Sequence, residues 1–349
     1  MLRAARARRI AAATAFGGGG LTLVGGGTVA LLYLQARLAR NAIGFTEWER
    51  PRIDGLHGDG TGPAIRLLMA GDSTAAGFAV DEAAQTPGVM IARGVSAAAE
   101  RPVRLRCTAV PGATSAHLAT QLERARVDEE GTRFDLAVIF IGANDVIRRV
   151  RPNSAVAQLR EATHRLISRG TSVVVATCPD LGTVRPIGWP LRSVARRASR
   201  QLAAAQTIAV TEAGGRTVSL SDLLTDDFVA DPAMFGPDLF HPSARGYAQA
   251  SFAVLPSACA ALGLLPELDE AEQHTEGVLP ADRAAIMAAE TAGTEVSPID
   301  PADRPRRRGR WITRVRGPFR RQARDHTDRS EGDDARSTTP SGVREHRTG

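Results

Sequence analysis

Five short apolar segments alternate with five longer amphipathic segments between residues 64 and 265. The apolar segments are Ile65–Ala70, Val103–Val110, Leu136–Ile141, Ser172–Thr177 and Thr217–Leu220. The amphipathic segments, which have the spacing of helices, are Gly88–Glu100, Ser115–Glu130, Ser154–Arg169, Leu191–Ala213 and Ser243–Leu262. Continuous apolar strands that alternate with helices are typical of a parallel sheet covered on both faces. The pattern therefore predicts a three-layer α/β domain over residues 64–265.

The first forty residues have a different pattern. No charged residue occurs from Ile10 to Gln35, whereas four arginines lie before residue 10. About 20 apolar residues are enough to span a bilayer, and the heavier arginine cluster favours an amino terminus in the cytoplasm. We predict a membrane anchor over residues 1–40, with the α/β domain on the extracytoplasmic side. A cleaved signal peptide, which would give a secreted protein, is the alternative.

Composition changes again on both sides of the predicted domain. Residues 41–63 end in a glycine-rich stretch and are predicted to be a linker. Residues 266–349 are predicted to form a largely disordered, arginine-rich tail. The segment 304–324 alone contains ten arginines and no acidic residue. The positive charge of this segment exceeds the net charge of +6 of the whole chain. The domain itself is therefore not basic, and we expect no nucleic-acid partner for it, although the tail could bind anionic lipid or another polyanion.

Metal and cofactor signatures are missing from the sequence. The three cysteines, Cys107, Cys178 and Cys259, are widely spaced and fall in apolar segments, so we expect buried free thiols. There is no HExxH motif, no P-loop with lysine and no pattern of metal-ligand spacing. We predict a protein without a metal ion or cofactor.

Residues suited to acyl transfer follow the strands of the predicted sheet. Ser73 comes directly after the first strand, Gly112 after the second and Asn144 after the third, and the pair Asp238 and His241 precedes the last helix. The carboxyl ends of parallel strands meet at one edge of a sheet, so these residues can converge.

Each of these residue types has a defined use in ester chemistry. The Ser73 hydroxyl becomes nucleophilic when His241 accepts its proton, and Asp238 can fix the tautomer of that histidine. The backbone N–H groups of Ser73 and Gly112, with the Asn144 amide, can donate to the oxyanion that forms. Asp222 and Asp231 are alternative partners for His241, and Asp145 is predicted to cap the segment that follows it.

The four motifs together resemble the SGNH, or GDSL-type, hydrolase family. They are Gly71-Asp72-Ser73, Gly112, Gly142-Ala-Asn144-Asp145 and Asp238-Leu-Phe-His241-Pro242. The resemblance covers residues 64–265 and implies a flavodoxin-like sandwich around a five-stranded parallel sheet. It also implies a catalytic triad of Ser73, Asp238 and His241. The oxyanion hole would consist of Ser73, Gly112 and Asn144.

Three functions are compatible with this sequence. The first is hydrolysis of a carboxylic ester of a small molecule or lipid through an acyl-enzyme. The second is transfer of the acyl group, or O-deacetylation, on a lipid or glycan of the cell envelope. The third is a non-catalytic membrane-anchored scaffold. Ile187 and Trp189 lie in the loop after the fourth strand and are predicted to line the substrate pocket.

Overall fold

The computed structural model describes residues 30–38, 48–127, 133–220, 225–264, 278–280, 295–297 and 310–314. The strands are β1 Gly55–His57, β2 Ile65–Gly71, β3 Val103–Cys107, β4 Leu136–Phe140, β5 Ser172–Ala176, β6 Arg216–Val218, β7 Val278–Pro280, β8 Glu295–Ser297 and β9 Arg310–Arg314. All of them belong to one sheet in the order β1-β3-β2-β4-β5-β6-β8-β9-β7.

The described helices include all five segments predicted from the sequence. They are α1 (30–38), α2 Ser73–Ala76, α3 Pro87–Ala99, α4 Leu118–Arg124, α5 Ala143–Ile147, α6 Pro152–Ile167, α7 Leu191–Glu212, α8 Thr225–Ala230 and α9 Ala244–Ala261. Short 3₁₀ turns occur at Ala83–Gln85, Ser115–His117, Leu181–Thr183 and Pro232–Met234. Because Thr114 and His117 form a capping box around the 3₁₀ turn, α4 begins later than predicted, at Leu118.

Two helical layers enclose the sheet. Alternate residues of β2 point to opposite faces, so Leu67 and Met69 pack with α3 and α9 while Leu68 and Ala70 pack with α4 and α6. The five predicted strands, β2 to β6, pair in parallel, as the apolar pattern indicated. The three-layer α/β prediction is confirmed, and the carboxyl ends of β2, β3 and β4 share one edge.

The sheet is mixed rather than purely parallel. At one edge β1, within the predicted linker, pairs antiparallel with β3. At the other edge β8 pairs antiparallel with β6, and β7 and β9 continue the sheet. Segments within 278–314, beyond the predicted end of the domain at residue 265, therefore pair with the same sheet. The exposed edges of a parallel core leave backbone groups that additional strands can satisfy.

The predicted anchor lies mostly outside the described residues. Within them, residues 30–38 form a helix of nine residues. Among the residues that the structure describes, there is no helix with the length and apolarity needed to cross a bilayer.

Candidate active site

Ser73 lies in a sharp turn between β2 and α2. Gly71 has φ +130°, and a Cβ atom there would be 1.9 Å from the carbonyl oxygen of Phe140, so only glycine fits. Asp72 caps α2, with its Oδ1 accepting the N–H of Thr74 at 2.9 Å. Ser73 is therefore the first residue of a helix that begins directly at the edge of the sheet.

His241 approaches Ser73 from the loop that precedes α9. Its Nε2 lies 3.0 Å from the Oγ of Ser73, although the two residues are 168 positions apart. The Oδ2 of Asp238 lies 2.5 Å from Nδ1 of the same ring. A carboxylate at Nδ1 favours the tautomer in which Nε2 is unprotonated and can accept the serine proton. The structure thus brings the three predicted residues into one hydrogen-bonded chain.

The Asp238 carboxylate is stabilised in its ionised form. Burial raises the pKa of Asp238, but hydrogen bonds from the His241 ring and from the N–H groups of Phe240 and His241 outweigh burial, so that the pKa lies below 3.8. The alternative partner Asp231 instead accepts from Arg245 at 2.7 Å and caps a 3₁₀ turn through Ala233. Asp222, the other alternative, lies outside the described residues.

The loop that carries His241 is fixed by backbone and ring contacts. The N–H of Gly236 donates to the carbonyl oxygen of His241 at 2.7 Å. The imidazole lies between two aromatic rings, with centroid distances of 4.3 Å to Phe78 and 4.8 Å to Phe240. These contacts restrict the rotation of the ring and keep Nε2 directed at Ser73.

The two remaining predicted residues lie in neighbouring turns. Asn144 is in the first turn of α5 and lines the same cavity as Ser73 and His241. Gly112 lies in the turn after β3 with φ +77°, and it is not among the residues that line this cavity.

Asp145 connects the two turns. Its carboxylate accepts from both the N–H and the hydroxyl of Ser115, at 3.1 Å and 3.0 Å. The prediction that Asp145 caps the following segment is wrong, because its side chain bonds to the loop after β3 rather than to its own helix. Burial raises the pKa of Asp145, an effect that the bonds from Ser115 partly offset. Asp145 thereby couples the loop of Gly112 to the helix of Asn144.

Comparison with known proteins identifies the family of this chain. A model of the GDSL-like Lipase/Acylhydrolase family matches residues 69–249, a span that includes Ser73, Gly112, Asn144, Asp238 and His241. The chain belongs to the GDSL-like lipase/acylhydrolase family. A GDSL-like esterase from Mycobacterium tuberculosis is 40% identical to it over 232 residues, which cover 63% of this chain and 73% of that protein. This GDSL-like hydrolase is a serine esterase/lipase-type enzyme, as the motifs predicted.

Two solved structures are among those similar to this GDSL-like hydrolase. One is an extracellular lipase from Streptomyces rimosus, which has 18% identity and a TM-score of 0.45 and covers 56% of this chain and 100% of that chain. Another is the acetylxylan esterase Axe2 from Geobacillus stearothermophilus, with 18% identity and a TM-score of 0.43, covering 60% of this chain and 99% of that chain.

The cavity beside Ser73 is lined mainly by apolar side chains. Sequence reasoning did not identify most of them; among the larger ones are Leu181, Val184, Leu220, Phe228, Phe235 and Phe240. These residues come from four separate loops and helices, so no local sequence signal groups them. Ile187 and Trp189, which were predicted to line the pocket, are not among the lining residues. Ile187 packs behind Leu181 and Val184, and Trp189 is 78% exposed.

Two buried glutamines, which sequence reasoning missed, support the edge of the sheet. The amide of Gln121 bonds to the N–H and the C=O of Gly71 at 2.7 Å and 2.8 Å. The amide of Gln206 accepts from the N–H of Cys178 at 2.8 Å and donates to the carbonyl of Ile141 at 3.0 Å. The only signal in the sequence was a glutamine within an amphipathic helix. That signal is weak, because glutamine is seldom fully buried and is normally expected on the exposed face.

Asp72 is a buried carboxyl group directly beside the nucleophile. It is 2% exposed, and burial raises its pKa to about 7, against the hydrogen bonds from Thr74, which lower it. Asp72 therefore changes its protonation near neutral pH, whereas Asp238 remains ionised there.

Proposed function

We propose that this GDSL-like hydrolase cleaves carboxylic esters through an acyl-enzyme on Ser73. The observation that carries the proposal is the hydrogen-bonded chain from Ser73 Oγ through both nitrogens of His241 to Asp238, with distances of 3.0 Å and 2.5 Å. This arrangement supplies a nucleophile, a base and a group that orients the base, all beside one cavity.

The reaction begins with attack on the ester carbonyl carbon. Ser73 Oγ forms the new C–O bond while His241 Nε2 takes the hydroxyl proton, and Asp238 stabilises the resulting imidazolium. The carbonyl oxygen becomes an oxyanion, which accepts hydrogen bonds from the N–H groups of Ser73 and Gly112 and from the Asn144 amide. The C–O bond to the alcohol then breaks, and His241 donates its proton to the departing alkoxide.

Water completes the cycle. His241, neutral again, removes a proton from a water molecule that attacks the acyl carbon of the Ser73 ester. The second tetrahedral intermediate collapses with release of the carboxylic acid, and the proton returns to Ser73 Oγ. The apolar lining of the cavity, which includes Phe228, Phe235 and Phe240, suits the hydrocarbon part of a small-molecule or lipid ester.

Covalent labelling tests this mechanism directly. A fluorophosphonate probe should label the native chain on Ser73 and should not label the Ser73→Ala variant, which should also lose hydrolysis of p-nitrophenyl acetate. Ser193→Ala, which removes an exposed serine of α7, is the matched control and should retain both properties. Labelling and turnover that persist in Ser73→Ala would exclude Ser73 as the nucleophile.

A second variant tests the role of Asp238. In Asp238→Asn the amide can present its N–H₂ to Nδ1, which favours the tautomer whose Nε2 carries a proton. We expect kcat to fall by about 10⁴-fold, the cost of the wrong tautomer in a serine triad. A fall of less than tenfold would show that another group orients His241.

We also propose that residues 1–40 anchor the enzyme in the cytoplasmic membrane, with the catalytic domain outside. The uncharged segment from Ile10 to Gln35 and the four arginines before it support this orientation. The proposal predicts that the full chain resists extraction from membranes by alkaline carbonate, and that protease added to intact spheroplasts degrades the domain.

A further inference from the structure

Large apolar side chains are exposed on α1 and around the start of α7. Tyr33 of α1 is 58% exposed, and its position in the helix directs it away from the leucines. Leu31, Leu34 and Leu38 of α1 are 44–57% exposed, and Trp189 and Val194 near α7 are 78% and 51% exposed. We call these five residues the apolar ridge. Leu31, Leu34 and Leu38 are spaced three and four positions apart and share one face of the helix. A cluster of this kind on an enzyme surface indicates an interaction site, whereas single exposed apolar residues are normal.

Gln35 joins the two parts of the ridge. Its Nε2 donates to the carbonyl oxygen of Trp189 at 2.6 Å, and its Oε1 accepts the N–H of Leu191 at 3.2 Å. One amide thus satisfies two backbone groups in the loop that leads into α7. Gln35 therefore attaches α1 to the loop that carries Trp189.

The ridge is also connected to the wall of the active-site cavity. Val184 lines the cavity, and its carbonyl oxygen accepts the N–H of Ile187 at 3.2 Å. Ile187 packs against Leu181 and Val184 in the same apolar cluster as Phe240. Only one residue separates Ile187 from Trp189. In this loop Ile187 therefore packs against the residues of the cavity wall, whereas Trp189 is exposed and belongs to the ridge.

The charged residues of the segments that carry the ridge are all arginines. Residues 30–38 and 181–211 contain no aspartate or glutamate. Exposed arginines in these segments are Arg37, Arg185, Arg192 and Arg197. A tryptophan and leucines surrounded by arginines are the composition of a surface that lies in the interface of an anionic membrane. The long aliphatic stems of arginine also allow the guanidinium to reach lipid phosphates while the apolar side chains enter the acyl region.

We propose that the apolar ridge docks onto an anionic lipid bilayer. The chain before the ridge supports this occupant, because residues 10–29, which precede α1, carry no charge. A soluble protein partner would need acidic groups to match the arginines, whereas a bilayer supplies phosphates and acyl chains together. Docking would place the wall of the cavity at the lipid surface. That consequence rests on the proposed function, since it makes an ester held in the bilayer the substrate.

Fluorescence quenching can test the contact at a single residue. In the full chain carrying Trp48→Phe and Trp311→Phe, all tryptophan emission comes from Trp189. We expect vesicles of phosphatidylglycerol and phosphatidylcholine with brominated acyl chains to quench this emission. Vesicles of phosphatidylcholine alone should quench it less, because they lack the charge that attracts the arginines. If the chain sediments with the anionic vesicles while its emission is unchanged, Trp189 does not touch lipid and the proposal is wrong.

Two matched variants separate the ridge from other surfaces. Val194→Asp adds a charge to the ridge outside the proposed anchor and should at least halve the quenching. Leu56→Asp adds the same charge to a leucine that is 55% exposed on β1 and should leave the quenching unchanged. Equal quenching in both variants would overturn the proposal. So would a chain whose Trp189 is already shielded from acrylamide without vesicles and that elutes as a dimer, because a second copy would then cover the ridge.

Activity measurements distinguish this proposal from the proposed function. Val194→Asp should reduce hydrolysis of an ester dissolved in anionic vesicles by about tenfold and should leave hydrolysis of soluble p-nitrophenyl acetate unchanged, as expected if about 1.4 kcal/mol of docking energy is lost. Ser73→Ala should show native quenching without hydrolysis. A Val194→Asp variant that hydrolyses vesicle-borne ester at the native rate would refute docking and leave the ester hydrolase intact.

Discussion

The side-chain amide of Gln121 bonds to both backbone groups of Gly71, with its Oε1 2.7 Å from the N–H and its Nε2 2.8 Å from the C=O. Gly71 is the last residue of β2 and lies two positions before Ser73. A helix on one face of the sheet thus fixes the turn that presents the nucleophile. Gln121 touches no reacting atom in this arrangement, so it is a positioning residue.

Removing the Gln121 amide should affect both stability and turnover. Gln121→Ala leaves the buried N–H of Gly71 without its partner, which costs about 1–3 kcal/mol of unfolding free energy. We expect kcat to fall more than KM rises, because the Ser73 turn loses its support. Urea unfolding and steady-state kinetics measure the two effects. The control is Gln158→Ala, since the buried Oε1 of Gln158 has no hydrogen-bond partner among the described residues. Native kcat in Gln121→Ala would contradict the positioning role.

A side chain at Gly112 should interfere with the proposed oxyanion hole. Gly112 has φ +77°, and its added Cβ would lie 3.1 Å from an Nη atom of Arg148. Gly112→Ala therefore strains the backbone by about 1–2 kcal/mol and displaces the Gly112 N–H, which is a donor of the proposed oxyanion hole. Gly263→Ala is the matched control, because Gly263 has φ +69° and nothing within 4 Å of the added atom. Both variants should lose similar stability by thermal unfolding, but only Gly112→Ala should lose kcat, by about tenfold or more. Equal kinetics in the two would remove Gly112 from the site.

The Asn144 amide should matter in the transition state rather than in substrate binding. Loss of one oxyanion donor lowers kcat by about 10²–10³-fold in serine hydrolases. We expect that loss in Asn144→Ala, with little change in KM or in melting temperature. Asn153→Ala, at an exposed position near the start of α6, should be indistinguishable from the native enzyme. A change confined to KM would show that Asn144 binds substrate without stabilising the oxyanion.

Asp72 should make stability depend on pH in the range where most carboxyl groups have no effect. Its pKa is raised from 3.8 to about 7, so between these values the folded state holds a proton that the unfolded state lacks. The contribution of Asp72 to the free energy of unfolding is therefore fully present below pH 3.8. It falls by about 1.4 kcal/mol per pH unit between pH 3.8 and about pH 7, and above about pH 7 it is lost.

The isosteric variant Asp72→Asn removes this titration and can keep the bond to Thr74. Asp72→Asn should match the native enzyme near pH 4 and should be more stable by a few kcal/mol at pH 8, as measured by urea unfolding at both pH values. Asp81→Asn changes an exposed carboxyl group and serves as the control for the general effect of charge. If Asp72→Asn has the same stability relative to the native enzyme at both pH values, the buried carboxyl group does not titrate in this range.

The sequence alone predicted the parallel core of the sheet, its helical layers and the five residues proposed for chemistry. It did so because these features have local signals. A buried parallel strand is a continuous apolar segment, and the turn after it requires small residues such as Gly71, Gly112 and Gly142. The motif residues lie at strand ends, and parallel strand ends converge by topology alone.

Only the tertiary structure decided which distant residues support and surround that site. Gln121 and Gln206 are single amides within helices, and their partners at Gly71 and Ile141 become evident only when the helices pack on the sheet. Trp189 and Ile187 were assigned to the pocket from their place in a loop, but the packing left Trp189 78% exposed, with its backbone carbonyl bonded to Gln35 of α1. Contacts of this kind depend on how whole layers meet in space. Sequence patterns with a period of a few residues carry no record of them, because they specify the face of an element and not its neighbour.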